Sequence, residues 1–375
     1  MHLSSDNVDS HSQLIKKVAY LTPLLIALLP ILGVAAAQIT ESSLIMIGLT
    51  PVVLFIIVPI LDWIIGRDPS NPSPIDSASL ATQRYYRALP MLCLPAYLLT
   101  LLYGAWVVAN EPMSPFMMFG WAISIGLIGG IVAINPAHEL IHKSTALERA
   151  IGGTLLATVS YGTFKVEHIA GHHVDVATPK DLTTARLGQN VFDFIAHSIT
   201  QNPIRALKLE QTACARRGQQ WRWYTSESVG WGVVSIAIAA LCMWIISRGS
   251  LHAPWVGGVY FITQSFVAIA LLEIVNYIEH YGLTRQASPA ADGSIQFERV
   301  NHLHSWNANF ALTNALLFQL QRHSDHHAHS FRRYQALRHH SDSPQLPAGY
   351  ATMILIALVP PLWFRVMNRR VPNRR

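Results

Sequence analysis

Nine of the eighteen histidines in this 375-residue chain fall into three tight clusters and one position beside a carboxylate. On a helix, residues three or four apart share one face, so the imidazoles of a cluster can point to a common centre. Neutral imidazole is a good ligand for iron, zinc, copper and nickel. The pattern therefore predicts a metal centre built mainly from histidines. The segments are His138-Glu139-Leu140-Ile141-His142, His168-Ile169-Ala170-Gly171-His172-His173, Glu279-His280 and His323-Ser324-Asp325-His326-His327.

Narrower metal motifs overlap the first cluster. His138, Glu139 and His142 also form the HExxH motif of zinc proteases, in which the glutamate is the general base. Glu139-x-x-His142 is one half of the soluble di-iron carboxylate pattern, but no second half is placed to partner it. Nine histidines exceed the roughly four to six ligands of one ion, so two ions are the simpler interpretation. A metal transporter is a further alternative, although the apolar segments nearly lack the ionisable residues that it needs.

Long apolar segments must position these histidines. The chain is 51% hydrophobic and only 13% charged, whereas soluble proteins carry about 25% charged residues. Crossing about 30 Å of hydrocarbon takes about 20 apolar residues, and only helices or closed barrels satisfy their backbone there. The sequence predicts an all-α integral membrane protein in which weaker stretches at 151–162 and 349–366 are interfacial or re-entrant. The six predicted transmembrane helices are 18–37, 44–66, 89–109, 114–136, 229–247 and 257–278.

Charge predicts the orientation of these helices. The loops 38–43, 110–113 and 248–256 contain one basic residue, Arg248, and all other Lys and Arg residues lie in the remaining segments or at helix ends. Since positive loops stay in the cytoplasm, both termini and a histidine-rich cap with two metal ions, which the resemblance described next makes a di-iron cap, are expected there. We expect residues 1–375 to form one domain, with 1–15 disordered. The three cysteines form no CxxC pair, so the sequence lacks a rubredoxin-like or iron–sulfur site of its own.

Four histidine-containing segments resemble the alkane 1-monooxygenase (alkane omega-hydroxylase) family, within the membrane fatty-acid desaturase and hydroxylase superfamily. The resemblance extends from the first helix to about residue 340, and it includes Leu-Asp-Trp at 61–63 and the turn at 68–74. The segments are His-Glu-Leu-Ile-His-Lys (138–143), Glu-His-Ile-Ala-Gly-His-His (167–173), Asn-Tyr-Ile-Glu-His-Tyr-Gly-Leu (276–283) and Leu-Gln-Arg-His-Ser-Asp-His-His-Ala (320–328).

The resemblance implies O₂-dependent hydroxylation of the terminal methyl group of linear alkanes at two non-haem irons. It also implies a bacterial inner membrane protein that receives electrons from a separate rubredoxin, which a rubredoxin reductase reduces. A hydroxylase or desaturase acting on aryl-methyl or fatty acyl substrates stays open, because the same ligands serve those reactions. The implied iron ligands are His138, His142, His168, His172, His173, His280, His323, His326 and His327.

Further expectations concern residues around this centre. Some nearby carboxylates should accept the second imidazole N–H and orient the ligands, although each is as readily explained as a solvated charge. Leu54 and Val58, four apart on the second helix, are expected to line a substrate tunnel. Basic residues at 322, 332, 333 and 338 either dock an acidic electron donor or only set topology. The candidate carboxylates are Glu139, Glu167, Asp175, Asp181, Glu279 and Asp325.

Overall fold

A computed structural model describes residues 14–372, and most of them are helical. A two-stranded antiparallel hairpin, β1 (Ala287–Pro289) with β2 (Ile295–Phe297), interrupts the helices. Of the expected disordered segment 1–15, residues 14 and 15 belong to the first helix and the rest lies outside the described residues. The helices are α1 (Leu14–Ile26), α2 (Leu29–Thr40), α3 (Leu44–Ile65), α4 (Pro74–Thr82), α5 (Arg84–Asn110), α6 (Pro115–Ile141), α7 (Ala146–Ala157), α8 (164–175), α9 (Val191–Arg216), α10 (Glu227–Arg248), α11 (Trp255–His280), α12 (Ala311–Leu316), α13 (His323–Ala328), α14 (Tyr350–Ala357) and α15 (Pro360–Met367).

Five helices within the described part of the chain are long and apolar enough to cross a membrane, namely α3, α5, α6, α10 and α11. The first predicted transmembrane helix, 18–37, is not one continuous helix in the structure, because it falls in α1 and α2, which meet at a bend of 61°. Pro30 lies in the first turn of α2 and has no N–H for a bond to the preceding turn. At the break the Leu28 N–H bonds to Leu25 O, three residues back. Together the two helices are apolar enough to form either one broken span or a re-entrant segment, so the described residues contain five or six candidate spans.

The weaker apolar stretches form short helices. The stretch 151–162 falls in the 12-residue α7 and the turn after it. The stretch 349–366 divides into α14 and α15, which have 8 residues each and are separated just before Pro360. These helices are too short to cross a bilayer alone, in agreement with the prediction that neither stretch spans it.

Two of the candidate membrane helices contain a π-helical turn. In α3 the turn is Val53–Ile57, and in α6 it is Gly130–Ile134. A proline is the second residue after each turn, Pro59 and Pro136. Because proline lacks an N–H and disturbs the regular bond to the residue four before it, the wider turn lets the helix continue. Such turns are frequent at functional sites, and both border the cavity described below.

Close packing of α6 against α11 brings their histidine-bearing ends together. Gly126 permits the approach, since a Cβ there would lie 2.5 Å from the backbone oxygen of Gln264. A buried hydrogen bond of 2.7 Å from the Tyr97 hydroxyl to Gln264 fixes α5 against the same pair. His138, near the end of α6, and His280, the last residue of α11, therefore emerge at one end of the helix bundle.

Candidate metal centre

The nine clustered histidines converge into two groups. In each group, one ligand atom from every member lies within 4.8 Å of those of all the others. Eight of the nine side chains are buried, and His173 is half-buried. The five-histidine group consists of His138, His142, His168, His173 and His326, and the four-histidine group consists of His172, His280, His323 and His327.

Two short helices supply histidines to both groups. In α8 a π-helical turn, His168–His172, changes the spacing so that His172 joins the four-histidine group while its neighbours join the other. In α13, His326 points to the five-histidine group and His327 to the four-histidine group. The rings of His173 and His327 stack across the two groups with centroids 4.3 Å apart. The two groups are therefore direct neighbours in one centre.

The spacing of the ring nitrogens fits a bound metal in each group. In the five-histidine group, Nε2 of His173 lies 3.1 Å from Nε2 of His168 and 3.2 Å from that of His326. In the four-histidine group, Nε2 of His323 lies 3.1 Å from Nε2 of His280 and 3.0 Å from that of His327. Imidazole nitrogens bind zinc at about 2.0–2.1 Å, so two ligands at a right angle stand about 3.0 Å apart. These nitrogens are spaced as ligands of a common ion.

The first cluster shows the same fit. Nε2 of His138 and Nε2 of His142 are buried, and neither has a hydrogen-bond partner within residues 14–372. Leaving such atoms unpaired costs about 1–3 kcal/mol each. A metal ion would satisfy both nitrogens, so the arrangement matches the donor set of a metal site.

Burial and mutual repulsion hold most of these imidazoles neutral. A charged imidazole in this enclosed cluster would lose its hydration and face other imidazoles. Neutral imidazole is the form that binds metal, so the cluster is prepared for binding at neutral pH. The pKa is lowered well below its ordinary value for His168, His173, His323, His326 and His327.

His172 differs because it is paired with a carboxylate. Its Nδ1 lies 2.9 Å from the buried Asp181 and 2.6 Å from the Thr183 hydroxyl. Burial alone would lower the pKa of His172, but the Asp181 charge outweighs it and raises this pKa. Burial likewise opposes ionisation of Asp181, yet His172 holds the pKa of this carboxyl well below its usual range. A carboxylate on Nδ1 leaves Nε2 to face the centre.

Asp181 is the candidate carboxylate that the structure places on the outer nitrogen of a clustered histidine. Sequence reasoning missed two hydroxyls in similar positions, Thr183 and Ser305, the latter 3.5 Å from Nδ1 of His280. The signal for Thr183 was its place two residues after Asp181, where it also donates to that carboxylate at 3.0 Å. Ser305 lies in an irregular segment whose sequence carries no such signal.

Glu279 contacts the four-histidine group directly. Its Oε2 lies 3.2 Å from Nε2 of His323, the nitrogen that faces His280 and His327. Its Oε1 accepts a hydrogen bond of 2.7 Å from the Tyr350 hydroxyl. The expected bond from a second imidazole N–H is therefore not the contact that Glu279 makes, because its carboxylate points into the four-histidine group.

The remaining candidate carboxylates pair with cations. Glu139 contacts Lys143 at 2.9 Å, and Glu167 and Asp175 contact Arg205 at 3.1 and 2.6 Å. Burial, reinforced by the Asp181 charge, raises the pKa of Glu167 to about 7.

The fully buried Asp325 likewise lies outside the imidazole shell of the two groups. It accepts bonds from Arg332 at 2.7 Å and from the backbone N–H of Arg338 at 3.0 Å, and it contacts His340 at 2.9 Å. Asp325 therefore anchors the segment that follows α13.

The basic residues proposed for donor docking are unequal. Arg322 is only 3% exposed and donates to the backbone oxygens of Leu337, Asp68 and Ser70 at 2.7, 3.0 and 2.9 Å. Because carbonyls enclose this charge, Arg322 offers little to a docking partner, which favours the alternative to docking for this residue. Arg332 and Arg333 are partly exposed, although each is paired with a carboxylate.

An apolar cavity ends at the histidine centre. Its wall includes both π-helical turns and also Leu54 and Val58, the two residues expected to line a substrate tunnel. His138 from one group and His323 from the other lie at its polar end, together with Glu279. An extended apolar molecule in this cavity would present one end to both histidine groups.

Comparison with known proteins agrees with this geometry. The family model for fatty acid desaturases matches residues 113–357. Alkane 1-monooxygenase 1 of Pseudomonas aeruginosa is 44% identical over 359 residues, which are 95% of this chain and 91% of that protein. Alkane 1-monooxygenase 2 of Alcanivorax borkumensis is 45% identical over 319 residues, 85% of this chain and 81% of that protein. The xylene/toluene monooxygenase hydroxylase component XylM of Pseudomonas putida is 26% identical over 310 residues, 83% of this chain and 78% of that protein.

Proposed function

The chain belongs to the alkane 1-monooxygenase family, within the fatty acid desaturases, and from this premise we propose that it hydroxylates the terminal methyl group of linear alkanes with O₂, giving primary alcohols. The observation that carries the proposal is the apolar cavity that ends at His138 and His323, one from each histidine group. A cavity of this kind accepts a hydrocarbon chain and presents its end to the metal centre.

The substrate explains why a metal is needed. An unactivated C–H bond offers nothing to an acid, a base or a nucleophile, so the hard chemistry belongs to the cofactor. Two irons, when bound, supply the oxidising power for O₂-dependent C–H hydroxylation. We assign them to the two groups, with His138, His142, His168, His173 and His326 holding one and His172, His280, His323 and His327 holding the other.

The protein's own residues bind and orient the substrate. Leu54, Val58 and the other apolar wall residues bury the alkane chain and exclude water, which protects a reactive centre from side reactions. Fixing the chain end beside the centre favours attack at the terminal carbon through orientation alone. Asp181 keeps the proton of His172 on Nδ1, so that Nε2 is free to bind metal.

The reaction also needs two electrons, which we propose come from a separate rubredoxin reduced by a rubredoxin reductase. The described cysteines, Cys93, Cys214 and Cys242, are isolated from one another in sequence and free, so they offer no iron–sulfur ligand set. Arg332 and Arg333 lie next to Phe331, whose side chain is 78% exposed, and we place donor docking there. We also propose a bacterial inner membrane location, and the distribution of basic residues supports an orientation with the histidine centre and both termini in the cytoplasm.

A protease function is less well supported than a monooxygenase function. As general base of an HExxH zinc protease, Glu139 would need a free carboxylate, but its Oε1 is held by Lys143 at 2.9 Å and by the Tyr334 N–H at 3.2 Å. The other histidines of the centre would also have no role. The similarity to the XylM hydroxylase component instead makes aryl-methyl hydroxylation the second candidate.

A product assay tests the proposal. The purified protein in lipid nanodiscs, supplied with iron, rubredoxin and reductase, is given octane, hexadecane, xylene and a fatty acid under ¹⁸O₂. We expect ¹⁸O-labelled 1-alkanols from at least one alkane and none from a His168→Ala variant. Labelled aryl alcohol without alkanol would favour the second candidate, and olefins as sole products would contradict hydroxylation.

A further inference from the structure

A tyrosine that lies outside the two histidine groups is joined to one of them by stacked rings. The Tyr161 ring stacks on Phe164 with centroids 5.5 Å apart and an angle of 24° between the ring planes. Phe164 in turn stacks on His168 of the five-histidine group, at 4.6 Å and 22°. All three side chains are buried, with at most 2% of any of them exposed. Aromatic contact therefore runs without a break from the Tyr161 phenol to a histidine of the metal centre.

The Tyr161 hydroxyl is paired with a buried carboxylate. It donates a hydrogen bond of 2.6 Å to Oε1 of Glu273, a fully buried residue of α11. The other oxygen, Oε2, accepts a bond of 3.2 Å from the Asn276 side chain. Asn202 donates to the phenol oxygen at 3.3 Å and so helps to fix the ring. Both carboxyl oxygens act as acceptors, which is the bonding of an ionised carboxylate.

The surroundings of Glu273 favour its taking up a proton. No cation forms an ion pair with this carboxylate within residues 14–372. A buried carboxylate without a partner charge is costly, and Tyr161 already presents a proton to it. A phenol that gives up an electron must also lose its proton, which here passes along an existing hydrogen bond. Loss of an electron from Tyr161 therefore takes the pair from one negative charge to neutral.

We propose that Tyr161 is a redox-active residue that supplies an electron to the metal centre when O₂ has oxidised the centre and no hydrocarbon is bound. The inference rests on the proposed function, which makes O₂ a substrate and iron the metal. One electron leaves the phenol and reduces the centre by one electron, and the phenol proton moves to Glu273 Oε1, leaving a neutral tyrosyl radical. An electron from the external donor then reduces the radical, and the proton returns from Glu273. The step removes an oxidant that would otherwise attack the histidine ligands.

Tyr350 also donates to a buried carboxylate, at 2.7 Å from Oε1 of Glu279, but its position suits the role less well. Glu279 points into the four-histidine group, 3.2 Å from Nε2 of His323. A metal bound there competes for the charge of Glu279 and makes it a poor proton acceptor. Tyr350 also lines the alkane cavity, whereas Tyr161 lies outside its wall. A radical on Tyr161 is therefore kept away from the substrate.

Electron paramagnetic resonance of the full-length, iron-loaded protein tests the assignment directly. Reduced protein mixed with O₂ in the absence of hydrocarbon and then frozen should show a tyrosyl radical, whose hyperfine pattern changes when ring-deuterated tyrosine is incorporated. The signal should be lost in Tyr161→Phe. It should also be lost in Glu273→Gln, because glutamine still accepts the phenol hydrogen bond but does not take up its proton. Zinc-loaded protein should show no radical, since zinc has no redox chemistry.

Tyr350→Phe is the matched control, because it too removes a phenol from a buried carboxylate, and it should keep the radical. Tyr161→Phe leaves Glu273 without its donor, which costs about 1–3 kcal/mol, so Glu273→Gln serves as the second variant if the first folds poorly. Absence of a radical in the wild type, its survival in Tyr161→Phe or Glu273→Gln, or its loss in Tyr350→Phe alone would overturn the proposal.

Peptide mass spectrometry tests the protective role. The iron-loaded protein is supplied with O₂ and reductant but no hydrocarbon, and oxygen added to the clustered histidines is then measured. Oxidation of His168 should be several-fold greater in Tyr161→Phe than in the wild type, and added octane should suppress it in both. Equal oxidation of the two proteins without octane would overturn the protective role.

The outcomes separate this inference from the proposed function. Alkane hydroxylation by a protein that forms no radical at Tyr161 would overturn the inference and leave the proposed function standing. A radical at Tyr161 in a protein that oxidises no hydrocarbon would contradict the proposed function but support the pairing of Tyr161 with Glu273 as an electron and proton source.

Discussion

Replacement of Asp181 by asparagine should selectively weaken the metal site of the four-histidine group. The wild-type carboxylate accepts the Nδ1 proton of His172 at 2.9 Å and receives bonds from Thr183 and Thr184. Asparagine keeps the shape but brings an NH₂ donor and no charge. An NH₂ group facing Nδ1 would favour the other tautomer of His172 and place the proton on Nε2, the nitrogen that faces His327 at 3.2 Å.

The expected loss of metal affinity in Asp181→Asn follows from the usual effect of removing a carboxylate that orients a metal ligand. Mutation of such an outer partner costs about 10–100-fold in metal affinity, which corresponds to about 1.4–2.7 kcal/mol. The five-histidine group keeps all its imidazoles, so its affinity should be nearly unchanged. Iron per chain, measured by elemental analysis after equilibration with increasing chelator, should fall in two separated steps in the variant.

Asp175→Asn is the matched control for this experiment. Asp175 lies two residues after His173 and contacts Arg205 at 2.6 Å, and the same arginine contacts Asp181 at 3.5 Å. Unlike Asp181, the Asp175 carboxylate is partly exposed. The control should lose iron like the wild type. Identical chelator curves for wild type and Asp181→Asn would refute the reasoning that this carboxylate sets the tautomer of His172.

Three further predictions test the cavity, the fold around the centre and the docking surface. Leu54→Trp should reduce kcat/KM for hexadecane about tenfold or more and affect octane less, while Leu54→Ala should not reduce it; chain-length profiles that match the wild type would exclude Leu54 from the wall. Arg333 and a Thr145 hydrogen bond outweigh the effect of burial and hold the pKa of Glu148 below its ordinary value, so this carboxylate stabilises the fold above about pH 4.5 and the contribution is lost as pH falls through the lowered pKa. Glu148→Gln should therefore lower the melting temperature at pH 7, and the difference from the wild type should shrink on acidification below pH 4.5; a constant difference would contradict the assignment. Replacing Arg332 and Arg333 by glutamine should flatten the ionic-strength dependence of rubredoxin-supported turnover, and an unchanged salt profile would place docking elsewhere.

The membrane helices could be predicted well because an apolar run of about 20 residues is a local property of the sequence. The bend between α1 and α2 was missed, since Pro23 and Pro30 lie inside an otherwise continuous apolar run and the run alone does not show a break. The π-helical turns were missed for a related reason. Their hydrogen bonds depend on Pro59 and Pro136 together with the packing of the surrounding helices.

Histidine spacing identified which imidazoles meet, but not how they divide. His172 and His173 are adjacent in sequence yet belong to different groups, because the π-helical turn in α8 changes the direction of successive side chains. The contact of Glu279 with His323 and the burial of Arg322 depend on where the segment around α13 packs. Such long-range contacts leave no periodic signal in the sequence.

The central claim, that nine histidines hold two irons at the end of an alkane cavity, is tested most directly by metal analysis of the purified full-length protein. The count should be made together with X-ray absorption at the iron edge. We predict two irons per chain with nitrogen ligands at imidazole distances, and a loss of one iron in His280→Ala. One zinc per chain with no iron, or an iron count that His280→Ala leaves unchanged, would contradict the account.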